Sequence, residues 1–269
     1  MTARLGIPLG ILLLWASLAI FGPFLPLSPN AIELPKILLP GNAQEWLGFD
    51  DLGRPIFDRL LVGAEISFFL AFSVVALSLV VGSVLGTMSA YVGGWTDLAF
   101  VRAIDVFLAF PGILLAIALA GVMGPGIDNV VIALSIVGWV GYARLARAQV
   151  LSVKERDHVQ AAVAIGASPL RIVTHHLLPL ISAPLIVEAS FGIAGVVIGE
   201  AGLSFLGLGV QAPEASWGSM IRDGTRYMLV APHMVVAPGL ALMLVVLAVN
   251  LLGDWLRDWL DVKSQTRKE

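Results

Sequence analysis

Residues 66–91, ISFFLAFSVVALSLVVGSVLGTMSAY, run for 26 residues without one charged side chain. At 1.5 Å per residue, that is enough helix to cross the roughly 30 Å hydrocarbon core of a bilayer. Within lipid every backbone N–H and C=O must find its partner inside the segment, which leaves a helix as the form such a run takes. Five further apolar runs of comparable length follow the same rule, at 7–27, 98–122, 129–150, 180–208 and 232–252. With 58% hydrophobic and only 13% charged residues, against about half and about a quarter in soluble domains, the chain reads as an all-α membrane protein. It is expected to form one domain, 1–269, built as a bundle of six transmembrane helices.

The same residues exclude several classes. Cysteine is absent, so neither a disulfide frame nor a thiolate metal site exists. A net charge of −3 suggests no nucleic-acid partner. The first 27 residues carry no basic run followed by a cleavage site and read as a retained span. No HExxH and no GxxxxGK[ST] occurs, so no catalytic or metal constellation and no phosphate cradle is expected. Whatever moves a solute here draws its energy from another polypeptide or from an ion gradient.

Orientation follows from the basic residues. A cytoplasmic N-terminus puts Arg4, Arg102, Arg144, Arg147, Lys154, Arg156, Arg171, Arg257, Lys263, Arg267 and Lys268 inside, 11 in all, against 5 outside: Lys36, Arg54, Arg59, Arg222 and Arg226. Both termini and the 152–179 connection are then cytoplasmic, and the loops 28–65 and 209–231 lie outside.

The 152–179 connection, SVKERDHVQAAVAIGASPLRIVTHHLLP, is the long polar-flanked segment between apolar runs. Ser152 and Glu155 have the spacing of a capping box. Gly166 supplies the backbone freedom that ends a first helix, Ser168 and Pro169 suit an N-cap and first turn, and Pro179 closes a second short helix. Two helices so punctuated suit a rigid lever; the plainer alternative is an amphipathic connector. Gln160-Ala161-Ala162, Gly166 and His176-Leu177-Leu178-Pro179 resemble the EAA loop of ABC importer permeases, with Gln160 where that family usually has Glu. The resemblance implies a coupling helix, bent at Gly166, that docks into a separate ATPase. Glu155, Gln160, Ala161, Ala162, Gly166, Ser168, His176, Leu178 and Pro179 are its candidate coupling residues, and the small alanines would let the partner approach closely.

Other stretches resemble the dipeptide, oligopeptide and nickel branch of the same family. LGFDDLGRPIFDRL at 47–60 matches an outer box, in which Asp50, Asp51, Arg54, Asp58 and Arg59 either fix the loop over the pathway or simply start a helix. GWTD at 94–97 and RAIDVFLAFP at 102–111 match the third helix, where Pro111 should kink the chain and Arg102 can pair with Asp105. Arg144 and Arg147 end the fourth run, snorkelling to lipid headgroups or touching the coupling loop. Glu188 and Glu200 lie in the fifth run, where a carboxylate costs about 2.5–3.5 kcal/mol and so faces the bundle or water. Glu200 opens EAGLSFLGLGV, whose glycines permit close packing and local unwinding; Arg222 and Arg226 are its candidate partners. Trp217 and Met220 anchor an outer amphipathic helix, or a plain aromatic belt. Asp51, Arg54, Glu188, Glu200 and Trp217 are the gate and pathway candidates.

The resemblance implies a bundle of the type I ABC importer permease kind, in a bacterial or archaeal cytoplasmic membrane, importing di- or oligopeptides by alternating access. It also implies the partners: a homologous second permease, two ABC ATPase subunits, an extracytoplasmic solute-binding protein and membrane lipid. The chain itself would bind no cofactor; ATP and Mg²⁺ belong to the ATPases. A nickel or other small-solute importer is the alternative within the class. A proton-driven secondary transporter using Glu188 and Glu200 as relays is the alternative outside it.

Overall fold

The computed structural model describes residues 2–43 and 45–265, with side chains placed between 5 and 260. It is helical throughout, with one isolated bridge, Phe49 to Pro55, in place of any strand among the described residues. Five segments are long and apolar enough to cross a membrane: Leu5–Phe24, Ile56–Val92, Ile127–Val153, Pro169–Phe205 and His233–Leu260. A bent pair, Gly94–Leu108 with Gly112–Met123, makes a sixth if counted as one span.

In chain order, α1 (Thr2–Phe21) leads through a single 3₁₀ turn into the outer loop. Helix α2 (Ile56–Val92) starts ten residues before the expected 66. Pro55 ends the extended loop there, and Asp58 in the first turn complements the helix dipole. The third run departs most from expectation. Pro111 does not kink one helix but divides α3 (Gly94–Leu108) from α4 (Gly112–Met123), which meet at 82°. Proline bars the helical region to the residue before it, and Pro111 itself is extended at ψ 124, so the helix restarts at Gly112. Helix α5 (Ile127–Val153) follows, then α6 (Asp157–Ala164), the short α7 (Pro169–Arg171), α8 (Leu178–Phe205), α9 (Trp217–Thr225) and α10 (His233–Gln265). Arg267 and Lys268, expected to hold the tail inside, lie outside the described residues.

Helices α2 and α5 form the central pair. Gly82 and Gly86 face α5 so closely that a Cβ on Gly86 would collide with the Ala143 carbonyl, and one on Gly82 with that of Trp139. The half of the bundle next to loop 28–55 packs around Trp15, Ile56, Trp217, Met220 and Val245. Trp15 Nε1 donates to the Ala64 carbonyl at 3.0 Å, and Trp217 Nε1 to that of Leu60 at 3.0 Å. Trp217 is thus a core residue at 2% exposure, not a surface anchor, and Met220 is buried with it. The half next to the 152–179 segment packs around Tyr142, Val150, Val159, Ile172, Leu177 and Ile181.

Two ionic knots close the ends. At the end toward the 152–179 segment Arg147 donates twice to Asp97, both at 2.7 Å, while Ser89 Oγ donates to the same carboxylate at 2.7 Å. Arg147 thereby ties α5 to the first turn of α3. Arg144 is exposed, and Arg102 and Asp105 form their pair at 3.5 Å on an exposed face. At the opposite end Arg54 Nε donates to Asp50 at 2.6 Å, and Arg59 Nε lies 3.4 Å from the same carboxylate. Arg59 also reaches the Pro29 carbonyl at 3.3 Å and the Pro213 carbonyl at 3.4 Å. Ser28 N donates to Asp58 at 2.7 Å, and a His233 ring nitrogen lies 3.2 Å from the Phe49 carbonyl.

Asp51 is less well served. Its Oδ1 is buried without a hydrogen-bond partner, and Arg54 Nη2 stands 3.7 Å away. Burial, followed by the Asp50 charge, pushes its carboxyl above the usual range, with Arg54 opposing. A carboxyl raised in the folded loop favours folding below the ordinary carboxylate range, and that contribution is lost as pH rises through the raised value. Loop 28–55 should therefore become easier to nick with protease as pH rises above the ordinary carboxylate range of about 4, and Asp51→Asn should flatten that rise. Along the central pair, Gly86→Val should lower stability in detergent by about 1–3 kcal/mol through overpacking, read as a drop in Tm.

Candidate functional site

The 152–179 segment has a bend built from local chemistry. Gly166 adopts φ +81, a left-handed conformation that glycine takes without a Cβ penalty, and its N–H donates to the Val163 carbonyl at 3.0 Å. Two residues on, Ser168 caps α7 by accepting from Arg171 N at 3.4 Å, and Pro169 fills the first turn. The capping box expected from Ser152 and Glu155 is absent. Ser152 lies inside α5 and donates to the Gln149 carbonyl at 2.7 Å, while Arg156 precedes α6. Glu155 instead accepts from Gln160 Nε2 at 3.2 Å, and that amide also donates to the Lys154 carbonyl at 3.1 Å.

Pro179 does not close a second helix. The chain runs from Pro169 through a π-helical stretch, Ile172–Leu177, directly into α8. Proline lacks an N–H and its ring crowds the carbonyl four residues earlier, here that of His175. Widening the preceding turn, with Leu178 N donating to the Val173 carbonyl, accommodates it without a break. The arm after the bend is therefore one continuous rod from Pro169 to Phe205.

The two alanines separate: Ala161 is exposed, while Ala162 is buried at 5% exposure. Val159, Ile172 and Leu177 belong to the inner core, with Leu178 packed against it; His176 is half-buried. What the bend presents outward is apolar: Ile165 at 86% exposure, Leu170 at 74% and Val163. The sequence reading overlooked these three, although an apolar residue beside an otherwise polar turn is a readable sign of an unfilled contact.

A cavity of about 330 Å³ opens between α2, α4, α5 and α8. Gly138, Gly141, Gly192, Gly195 and Gly199 line it, and it owes its volume to their missing side chains. A Cβ on Gly192 would collide with the Tyr142 hydroxyl, and one on Gly138 would come within 2.7 Å of Ser78 Oγ. Helix α8 stays wound past Gly195, Gly199 and Gly202 and ends at Phe205, so the chain unwinds at Gly207, with φ +81, and Gly209, the end of the EAGLSFLGLGV stretch. Glu188 lines this cavity and also a larger one of about 580 Å³, shared with Gln149 and Arg257.

Glu200 lies elsewhere. It is 1% exposed and accepts from Ser204 Oγ at 2.7 Å and Ser67 Oγ at 3.5 Å. Arg222 binds Asp223 at 3.0 Å and the Ser204 carbonyl at 3.3 Å rather than Glu200; the serines within reach leave no need for a cation. Asp51 and Arg54 sit in the outer knot, and Trp217 beneath it in the core. Among the pathway candidates Glu188 alone lines the central cavity. No group of three His, Cys, Asp or Glu able to hold a metal occurs among the described residues.

Comparison with known proteins agrees with this architecture. Residues 78–265 match the family described as binding-protein-dependent transport system inner membrane component. The dipeptide transport system permease protein DppC of Alkalihalophilus pseudofirmus is 43% identical over 93% of this chain and 82% of its own length. The nickel transport system permease protein NikC of Escherichia coli K12 is 42% identical over 88% of this chain and 86% of its own. The inward-facing MetNI methionine ABC transporter shares the fold at TM-score 0.61 and 19% identity, over 76% of this chain and 97% of that one. The chain belongs to the binding-protein-dependent transport system inner membrane component family, as a multi-pass inner-membrane permease subunit of an ABC importer whose ATPase is a separate polypeptide.

Proposed function

We propose that this permease imports dipeptides or similar short peptides by alternating access, driven through the bend at Gly166. The observation that carries the proposal is the division of labour in the 152–179 segment. Val163, Ile165 and Leu170 face outward, while Val159, Ala162, Ile172 and Leu177 are buried in the bundle. A partner seated on the outward residues pushes on a surface that cannot yield independently of α5 and α8. Each of these helices lines the central cavity, so the push reaches the walls of the pathway.

In this reading both termini and the bend are cytoplasmic, which the 11-to-5 division of basic residues favours. Two ATPase subunits, carrying the ATP and Mg²⁺, dock on this permease and on a homologous second one. An extracytoplasmic binding protein delivers cargo to the outer face. The peptide assignment is supported by the DppC similarity and by the EAGLSFLGLG stretch at 200–209. Similarity to NikC favours Ni²⁺ as the second reading.

The direct experiment reconstitutes the complete transporter in proteoliposomes and follows ATP-driven uptake of alanyl-alanine and, separately, of Ni²⁺. Peptide uptake that needs ATP and survives an uncoupler supports the proposal; nickel uptake alone replaces it with the second reading. Within that system Ile165→Asp and Leu170→Asp should each weaken ATPase association by about 2 kcal/mol, about thirtyfold, read by co-purification. Gly166→Pro, whose φ of about −65° is incompatible with +81, should leave the protein inserted while uptake per ATP hydrolysed collapses. Normal uptake by all three variants would remove the bend from the mechanism.

A further inference from the structure

Glu188 is exposed on a membrane-spanning helix, and among the described residues it has no hydrogen bond or ion pair. A carboxylate is costly at such a depth unless something meets it. It shares its helix face with Gly192, Gly195 and Gly199, at i+4, i+7 and i+11, so it stands on the stripe that lines the central cavity.

Two hydroxyls border the same cavity in a similar condition. Tyr142 is 5% exposed and Ser78 2% exposed, and neither hydroxyl has a partner. Buried polar groups are nearly always paired; here two unpaired hydroxyl groups and an unpaired carboxylate share one cavity lining. The remaining lining is aliphatic or glycine, leaving Glu188, Tyr142 and Ser78 as its polar side chains. Arg257 lines only the adjoining inner cavity and forms no ion pair with Glu188.

We propose that Glu188, Tyr142 and Ser78 form a transit site for the ammonium group of the cargo, within the central cavity. The proposal rests on the peptide reading above. An ammonium carries three N–H donors and no acceptor, which suits one carboxylate and two hydroxyl oxygens. A carboxylate partner makes its hydrogen bond charge-assisted. An anionic group is repelled by Glu188. Ni²⁺ favours imidazole and other nitrogen ligands, and the cavity lining contains no histidine. The α-ammonium of a peptide is the group that fits.

The test uses the whole transporter, with its partner permease, ATPases and binding protein, in proteoliposomes. The probes are alanyl-alanine, its N-acetylated form and Ni²⁺. Glu188→Gln should lower alanyl-alanine uptake about tenfold or more, as expected for one charge-assisted hydrogen bond. Glu188→Asp should restore part of it, and Tyr142→Phe and Ser78→Ala should each lower it several-fold. The ratio of alanyl-alanine to acetylated uptake should narrow in Glu188→Gln. Because the binding protein is identical in both preparations, the change in that ratio reports the permease alone. Partner subunits should co-purify with every variant.

Unchanged uptake or an unchanged ratio in Glu188→Gln overturns the proposal. So does loss of the partner subunits from Glu188→Gln and Glu188→Asp alike, which would make Glu188 an assembly contact. Wild-type transporter that takes up Ni²⁺ but no peptide would instead overturn the underlying peptide reading, and is told apart because it appears before any substitution.

Discussion

Gly82 and Gly86 let α2 lie against α5 at backbone distance, and the other helices are arranged around that pair. In lipid no hydrophobic effect drives helices together, so association rests on close van der Waals contact, and small residues make such contact available. The pair serves both halves of the protein. Trp15 and Trp217 hang on the outer half of α2 through the carbonyls of Ala64 and Leu60. Toward the inner end, α5 contributes Tyr142, Ala146, Val150 and Val153 to the core that also receives Val159, Ile172 and Leu177. The bend is therefore packed against the same helix that forms one wall of the cavity.

Continuity on the far side of the bend matters as much. A proline at 179 suggests an interruption, and an interrupted arm would absorb any movement of the bend in its own hinge. The π-helical turn at Ile172–Leu177 removes that weakness, because widening the helix by one residue accommodates the ring while the rod continues to Phe205. Gly166 lies outside this rod, at a left-handed backbone position with no neighbouring atom within 4 Å of a Cβ position.

Span existence was legible because lipid imposes a length and a composition that apolar runs display directly, and the Gly166 and Ser168-Pro169 punctuation was legible because it is local. The start of α2 was not. Asp58, Arg59 and Glu65 make residues 56–65 look like loop, yet Arg59 is buried against Asp50, nine residues earlier and on the other side of Pro55. No periodicity reports a charge neutralised from outside its own helix. Trp217 failed for a related reason: an amphipathic segment with tryptophan reads as an interfacial anchor, and only packing against α1 and α2 shows the ring to be core. Pro111 was seen, but the choice between a kink and a break depends on whether the chain beyond it continues the helix axis, which the residues alone do not state. The outward apolar residues of the bend were visible in sequence and were passed over in favour of the alanines.

Two carboxylates on α8 illustrate how far residue type underdetermines role. Glu188 and Glu200 are twelve positions apart, which at 3.6 residues per turn separates them by about 18 Å and about 120° around the axis. That rotation decides their surroundings. Glu200 points into the bundle, where Ser67 and Ser204 reach it and Ser204 Oγ goes on to accept Val210 N at 3.1 Å. Its hydrogen bonds hold the outer end of α8 to α2 and to the turn that follows. Such a network is full: a cargo that took one of these oxygens would strand a buried serine, so Glu200 cannot serve a transient ligand without loosening the fold. Glu188 faces the glycine-lined space with no partner among the described residues. A group that must bind and release repeatedly has to be one the folded state does not already use, and on this helix only Glu188 meets that condition.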